Sequence, residues 1–274
     1  METLRAAAVQ LTSTFDVDAN LARATALIAQ AASRGAKLVG LPENFAFIAR
    51  EGDELAKLAL AESLDGPPGR ILAAMADAAR QNDVWLILGG MPERSSDAGH
   101  VHNTCVLLRP DGTIAARYRK IHLFDVKLAD GSVFSESATV AAGAEAVVAE
   151  TPWGGLGLSV CYDLRFPELY RGLISRGARV LAIPAAFTLF TGKDHWHVLL
   201  RARAVENLAW VIAPAQTGRH NEKRQSYGHA CIIDPWGSVV ADAGDREGLA
   251  VADIDLDAQD RIRRELPALD HRKV

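Results

Sequence analysis

The 274-residue sequence holds only three cysteines, no long uninterrupted apolar run and almost no excess charge. Each scarcity closes off a class of protein. Cys105, Cys161 and Cys231 are an odd, scattered set, so they are no disulfide framework, and none has the CxxC spacing of zinc or redox motifs. The most apolar stretch, VLAIPAAFTLF at 180–190, contains Pro184 and falls well short of the about 20 residues that a membrane helix needs. The opening METLRAAAVQL offers too short an apolar run for a signal-peptide core. Thirty-four acidic residues against 30 basic ones give a net charge of −4, so the basic footprint of a nucleic-acid binder is missing. Neither GxGxxG after a strand nor GxxxxGK(S/T) occurs, so no nucleotide cofactor is indicated. What remains is a globular composition, 49% hydrophobic and 23% charged, expected in the cytoplasm.

Short strand-like runs alternate with Ala-rich helical ones. RAAAVQL (5–11), KLVGL (37–41) and VWLILGG (84–90) read as strands, and 17–34 and 69–82 as helices between them. Asp16 is a good N-cap for the first helix and Gly35 a good residue to follow its end. HNTCVLLRPDGTIAARYRK and CIIDPWGSVVAD each read as a strand, a tight turn and a second strand. The alternation predicts an α/β protein with mixed sheets. Residues 33–45, SRGAKLVGLPENF, echo 175–187, SRGARVLAIPAAF, which points to two related βαβ halves. No linker divides the chain, so 1–274 reads as a single domain.

The two copies differ where chemistry can sit. Glu43 in the first stands where the second has Ala185, just past a strand and a proline, at the end of the sheet where α/β proteins place their sites. Cys161 follows the strand run Leu156–Val160 and precedes Pro167, in the first turn of a helix, so it occupies a strand-to-loop exit fit for a nucleophile. Cys105 and Cys231 lie inside apolar strands and read as core. Lys120 ends a hairpin strand, and Glu136 lies in a loop. Taken singly, each has an ordinary reading: a loop glutamate, a solvated lysine, a small core thiol. Together a thiol, a carboxylate base and a fixed ammonium could hydrolyse an amide. His195 and His197, two apart on a helix, point to different faces and make no local metal pair. The segment 194–209 is expected to pack through Val198, Ala202, Val205 and Ala209. His122 and His229 read as pocket-lining or structural.

GLPENF, YRKIHLFD and SVCYDLRFPEL closely resemble the three motif regions of the nitrilase, or carbon–nitrogen hydrolase, superfamily, over about residues 4–270. The resemblance implies a four-layer α-β-β-α sandwich of two mixed sheets with pseudo-two-fold related halves. It implies Glu43 as general base, Lys120 as transition-state stabiliser, Cys161 as nucleophile and Glu136 as a second glutamate that positions substrate and lysine. The backbone N–H of Tyr162 would complete the oxyanion site. CYDLRFPEL, GKDHWHVLLRARAVEN, AQTGRHNEKRQSYGH and DPWG further resemble the branch of amidases acting on deaminated glutathione, with the ω-amidases as relatives. On that pattern Arg165 and Thr191 are candidates for the 2-oxo-acid end of a small amide substrate. An ion pair of Arg165 with Asp163 or Glu168 is the competing reading. The basic run RHNEKR (219–224) could meet the distal carboxylate or simply be solvated. The resemblance implies no cofactor and no metal, and self-association as a homodimer or higher oligomer. A catalytically silent scaffold on this fold is the alternative of a different class. A papain-like protease is disfavoured, because no cysteine has a CGSCW-type context.

Overall fold

The computed structural model describes residues 3–273 apart from 54, 130 and 132. In chain order the elements are β1 (Leu4–Leu11), α1 (Val17–Ser33), β2 (Leu38–Gly40), α2 (Ala56–Ala59), α3 (Arg70–Asn82), β3 (Trp85–Arg94), β4 (Val101–Leu108), β5 (Ile114–Arg119), β6 (Asp125–Lys127), β7 (Val133–Ser135) and β8 (Val148–Thr151). They continue as β9 (Gly154–Leu158), α4 (Pro167–Ser175), β10 (Ala178–Ala182), α5 (Leu189–Asn207), β11 (Trp210–Ala213), β12 (Ala215–Arg219), β13 (Gln225–Tyr227), β14 (Cys231–Ile233), β15 (Val239–Asp242), β16 (Gly248–Ile254) and α6 (Leu256–Glu265).

Local chemistry places these elements. The Asp16 carboxylate accepts the Ala19 N–H at 3.0 Å and starts α1, as the sequence predicts. Gly35 and Gly177 take φ of +84° and +93° just after α1 and α4, where a side chain would be strained. Pro167 opens α4. Both predicted hairpins form, as β4–β5 and β14–β15.

The strands build two sheets with the same plan. In one, β1, β2 and β3 run parallel, β4 and β5 follow antiparallel, and β16 lies antiparallel along β1; β12 and β13 extend that edge. In the other, β9, β10 and β11 run parallel, β14 and β15 follow antiparallel, and β8 lies antiparallel to β9. The echoed segments carry the equivalent strands β2 and β10, each reached through helix and glycine and left through proline.

Alternation along each strand then separates the layers. Ala7, Val9 and Leu11 pack with Leu21, Ile28 and Met75 of α1 and α3, whereas Ala6 and Ala8 face the second sheet and share a core with Leu158, Ala182 and Ile212. Leu173 of α4 and Trp196 and Leu200 of α5 cover that second sheet. The result is the four-layer α-β-β-α sandwich. Cys105 and Cys231 lie fully buried in its core.

One expectation fails. On α5, Val198 is 66% exposed and Val205 is also exposed, while Trp196, Leu200, Arg203, Ala204 and Asn207 form the buried face. The packing stripe therefore lies about half a turn from the one that apolar spacing suggests. Arg203 can be inside because it donates twice to the Leu164 carbonyl, at 2.8 and 3.1 Å, and pairs with Glu206. Replacing Leu200 by Ala should cost about 2–5 kcal/mol of stability in chemical denaturation. A loss below about 0.5 kcal/mol, the value for an exposed position, would restore the other face.

Candidate active site

The two proline exits meet at one end of the sandwich. Gly89 of β3 sits between them: a Cβ there would lie 2.1 Å from the Leu41 carbonyl and 2.4 Å from Pro184 Cβ. Glu43 follows Pro42, and its backbone is held by Gln216, whose Nε2 donates to the Glu43 carbonyl at 3.0 Å. Ala185 and Ala186 follow Pro184, and the Ala186 N–H donates to Glu43 Oε2 at 3.1 Å. The second copy thus presents a backbone donor one residue past the place where the first carries its carboxylate.

Lys120 leaves β5, its main-chain N–H still bonded to the Asn103 carbonyl of β4. Its ammonium is buried, 2.9 Å from Glu43 Oε1 and 2.8 Å from Glu136 Oε2, with its side chain only 2% exposed. Glu136 begins a short 3₁₀ turn after β7 and also accepts the Phe124 N–H at 2.8 Å. Asn103 Nδ2 bridges the two carboxylates, 2.9 Å from Glu43 Oε1 and 3.1 Å from Glu136 Oε1. Nothing in the motif pattern singles out Asn103. Its signal is weaker: an asparagine inside a strand is out of place unless its side chain has partners.

Cys161 begins a 3₁₀ turn, Cys161–Arg165, at φ +51°, a left-handed conformation costing about 1–3 kcal/mol for a side-chain-bearing residue. Neighbours hold it there. The Cys161 N–H donates to the Pro184 carbonyl at 2.8 Å. Fully buried Asp163 accepts from the Val160 N–H at 2.9 Å, the Tyr118 hydroxyl at 2.7 Å and the His122 main chain, with His122 Nδ1 at 2.7 Å. Asp163 therefore clamps the cysteine turn to the segment carrying Lys120, a role invisible without its partners. The Tyr162 N–H lies at the open first turn, between the engaged N–H groups of Cys161 and Asp163.

Glu43, Lys120 and the Ala186 N–H are the groups that act electrostatically on the buried Cys161 thiol. Burial pushes the Cys161 thiol well above its ordinary range and the Glu43 carboxylate adds to this; Lys120 pulls the other way. For Lys120, burial acts to release the proton, but the Glu136 and Glu43 carboxylates outweigh it and hold the ammonium charged. For Glu136, burial is outweighed by Lys120 and Lys57, and its carboxyl lies well below the usual range. The resting constellation is a neutral thiol beside an ion-paired ammonium.

Four residues that the sequence singles out, Glu43, Lys120, Glu136 and Cys161, thus converge. Arg165 ends the cysteine turn, its guanidinium 5.2 Å from the Phe187 ring centre and 5.9 Å from that of Tyr162, and 3.3 Å from His195 Nδ1. Among the described residues it pairs with neither Asp163 nor Glu168. Thr191 is buried in the first turn of α5, its hydroxyl 2.9 Å from that of Thr188. Phe124, Tyr162 and Phe166 form an aromatic wall, with His122 stacked on Phe166 at 3.7 Å. His195 and His197 diverge: the second joins His229 on Asp242, at 2.9 and 3.0 Å. Among the described residues those three are the metal-ligand types that cluster outside the site, and direct hydrogen bonds join both histidines to Asp242.

A four-layer sandwich that gathers a thiol, two glutamates and a lysine at one end is the arrangement of a hydrolase of the nitrilase type. Comparison with known proteins agrees. The carbon-nitrogen hydrolase profile matches residues 5–264. A Synechocystis protein named deaminated glutathione amidase is 50% identical over 99% of both chains. The human protein of that name is 44% identical over 97% of this chain and 81% of its own. The crystal structure of the Caenorhabditis elegans NitFhit protein superposes with a TM-score of 0.91 at 42% identity, covering all of this chain and 66% of that longer one. The chain belongs to the carbon–nitrogen hydrolase family.

A thiol titrating above its ordinary range holds little thiolate at neutral pH, and that fraction grows about tenfold per pH unit. Alkylation of Cys161 by iodoacetamide, followed by peptide mass, should therefore keep rising to at least about pH 9. A plateau with a midpoint near pH 7 would contradict the electrostatics described.

Proposed function

We propose that the protein is an amidase of deaminated glutathione, releasing 2-oxoglutarate and cysteinylglycine by way of a thioester on Cys161. The observation that carries the chemistry is a buried thiol beside a carboxylate, next to an ammonium with one N–H to spare. Lys120 has three donors, and two are taken by Glu43 and Glu136. The names of the 50% and 44% identical relatives support the choice of substrate. Because the site draws Glu43, Lys120 and Glu136 from one half and Cys161 from the other, 1–274 acts as one catalytic unit.

In this reading Glu43 takes the thiol proton as Sγ bonds to the amide carbon. The oxyanion is met by the third Lys120 N–H and the Tyr162 N–H. Glu43 returns the proton to nitrogen, the C–N bond breaks, and the amine leaves. Glu43 then takes a proton from water, whose oxygen attacks the thioester; collapse frees the acid and the proton goes back to sulfur. Glu136 and Asn103 keep Lys120 aimed. Arg165, a guanidinium without a carboxylate partner among the described residues, and Thr191 hold the 2-oxo-acid end.

Self-association is part of the same proposal: α5 exposes Val198 and Val205, and Trp236, 64% exposed, follows nearby on the loop before β15. Light scattering should give a dimer or larger, and a monomer mass would contradict it. Three unpaired thiols suit a reducing compartment, so the cytoplasm is its proposed location. Among the described residues no helix is long and apolar enough to cross a membrane.

The test is kcat/KM for deaminated glutathione and for 2-oxoglutaramate, with Cys161→Ala as blank. Deaminated glutathione should be preferred by at least about tenfold, and the blank should lose about 10⁴-fold or more. Near-equal values would make the enzyme an ω-amidase-like generalist. Activity retained by Cys161→Ala would end the thioester mechanism.

A further inference from the structure

Gln216, the second residue of β12, is a fully buried polar side chain at the edge of the site. Its amide is wholly engaged by the segments that follow β1 and β2. Nε2 donates to the Glu43 carbonyl at 3.0 Å and to Ser13 Oγ at 2.8 Å, and Oε1 accepts the Ser13 N–H at 3.0 Å. The Ser13 hydroxyl gives its own proton to the Phe45 carbonyl at 2.8 Å, so it meets Nε2 as an acceptor. These partners settle which way the amide points, because a main-chain carbonyl only accepts and a main-chain N–H only donates. Turned over, the amide would set oxygen against the Glu43 carbonyl.

The main chain of Gln216 reaches Glu43 by a second route. Its N–H donates to the Ala185 carbonyl at 2.9 Å, and the other end of that peptide, the Ala186 N–H, donates to Glu43 Oε2 at 3.1 Å. A peptide unit is planar and stiff, so fixing its carbonyl fixes the direction of its N–H. Lys120 and Asn103 both take Oε1, which leaves Oε2 to the Ala186 N–H. The peptide after Glu43 is gripped from its other side as well. The Asn44 N–H donates to the Gly90 carbonyl at 3.1 Å, with Asn44 in the left-handed region at φ +57°.

We propose that Gln216 is a positioning residue for Glu43, holding its main chain through the side-chain amide and its carboxylate through the Ala185–Ala186 peptide. It touches no reacting atom. A group that moves protons in both directions works only in register with its partners, and a misplacement of about 1 Å can cost about 100-fold in rate. The inference rests on the reading of Glu43 as proton shuttle and adds what keeps that carboxylate in place.

The experiment measures kcat and KM for Gln216→Met, Gln216→Asn and Ser13→Ala, on deaminated glutathione or, should the wild type leave it intact, on 2-oxoglutaramate. Gln216→Met keeps the length of the side chain and removes its donors. Gln216→Asn keeps the amide but draws it back by one methylene, and serves where the first variant does not fold. Each should lower kcat about 10–100-fold with KM within about threefold. Ser13→Ala removes two bonds of the same network but spares the donor to Glu43, so it should lower the denaturation midpoint yet keep kcat within about threefold. In a Glu43→Gln background, Gln216→Met should cost less than about threefold more, because residues that act as a unit are not additive. Unchanged kcat in a folded Gln216 variant, an equal fall in Ser13→Ala, or a fully multiplied loss in the Glu43→Gln background would overturn the positioning role alone. Wild-type activity in Glu43→Gln itself would overturn the proton-shuttle reading beneath it.

Discussion

The ammonium of Lys120, buried between two carboxylates, is the constraint from which the rest of the site follows. Removing a cation from water costs several kcal/mol unless charge and hydrogen bonds replace the solvent. Glu43 and Glu136 supply the charge at 2.9 and 2.8 Å. That solution creates a second difficulty, since two buried carboxylates need their own donors. Asn103, the Phe124 N–H and the Ala186 N–H provide them. What is left over is one lysine N–H and a thiol kept neutral by its surroundings, the two groups that the proposed acyl transfer draws on.

No single βαβ unit could assemble this group. Glu43 follows Pro42 and Ala186 lies two residues past Pro184, so they meet only when the two sheets stack and bring both proline exits to Gly89. The duplication yields one site rather than two because the second copy carries Ala185 where the first carries Glu43. The cysteine turn is bonded to Pro184, next to Ala185, through the Cys161 N–H. Asp163 completes the junction by tying that turn to Tyr118 and His122.

What the sequence makes legible is what short-range chemistry decides. Asp16, Gly35, Pro167 and the Pro-Asp-Gly turn mark their element ends through a few neighbouring atoms, and all lie as read. The echo of 33–45 in 175–187 discloses the paired halves, and the motif resemblance gives the four layers. The buried face of α5 was not legible, because its packing side carries Arg203 and Asn207 and its open side two valines. Polarity misleads where a buried arginine is satisfied by a distant carbonyl. Asn103 and Asp163 escaped for the same reason: their partners lie far along the chain, and their residue types alone say nothing. For Arg165 the sequence offers both an ion pair and a binding role, and Asp163, already saturated by other donors, removes one of its two expected partners.

The central claim is that the buried thiol becomes acylated while Glu43 shuttles one proton. Rapid acid quench during turnover of a slowly deacylating 2-oxoacyl amide, followed by peptide mass mapping, tests it most directly. The acyl half should appear on the peptide containing Cys161, and on neither Cys105 nor Cys231, at a rate no slower than turnover. Amine release without any acyl adduct on Cys161, under the same quench, would contradict it.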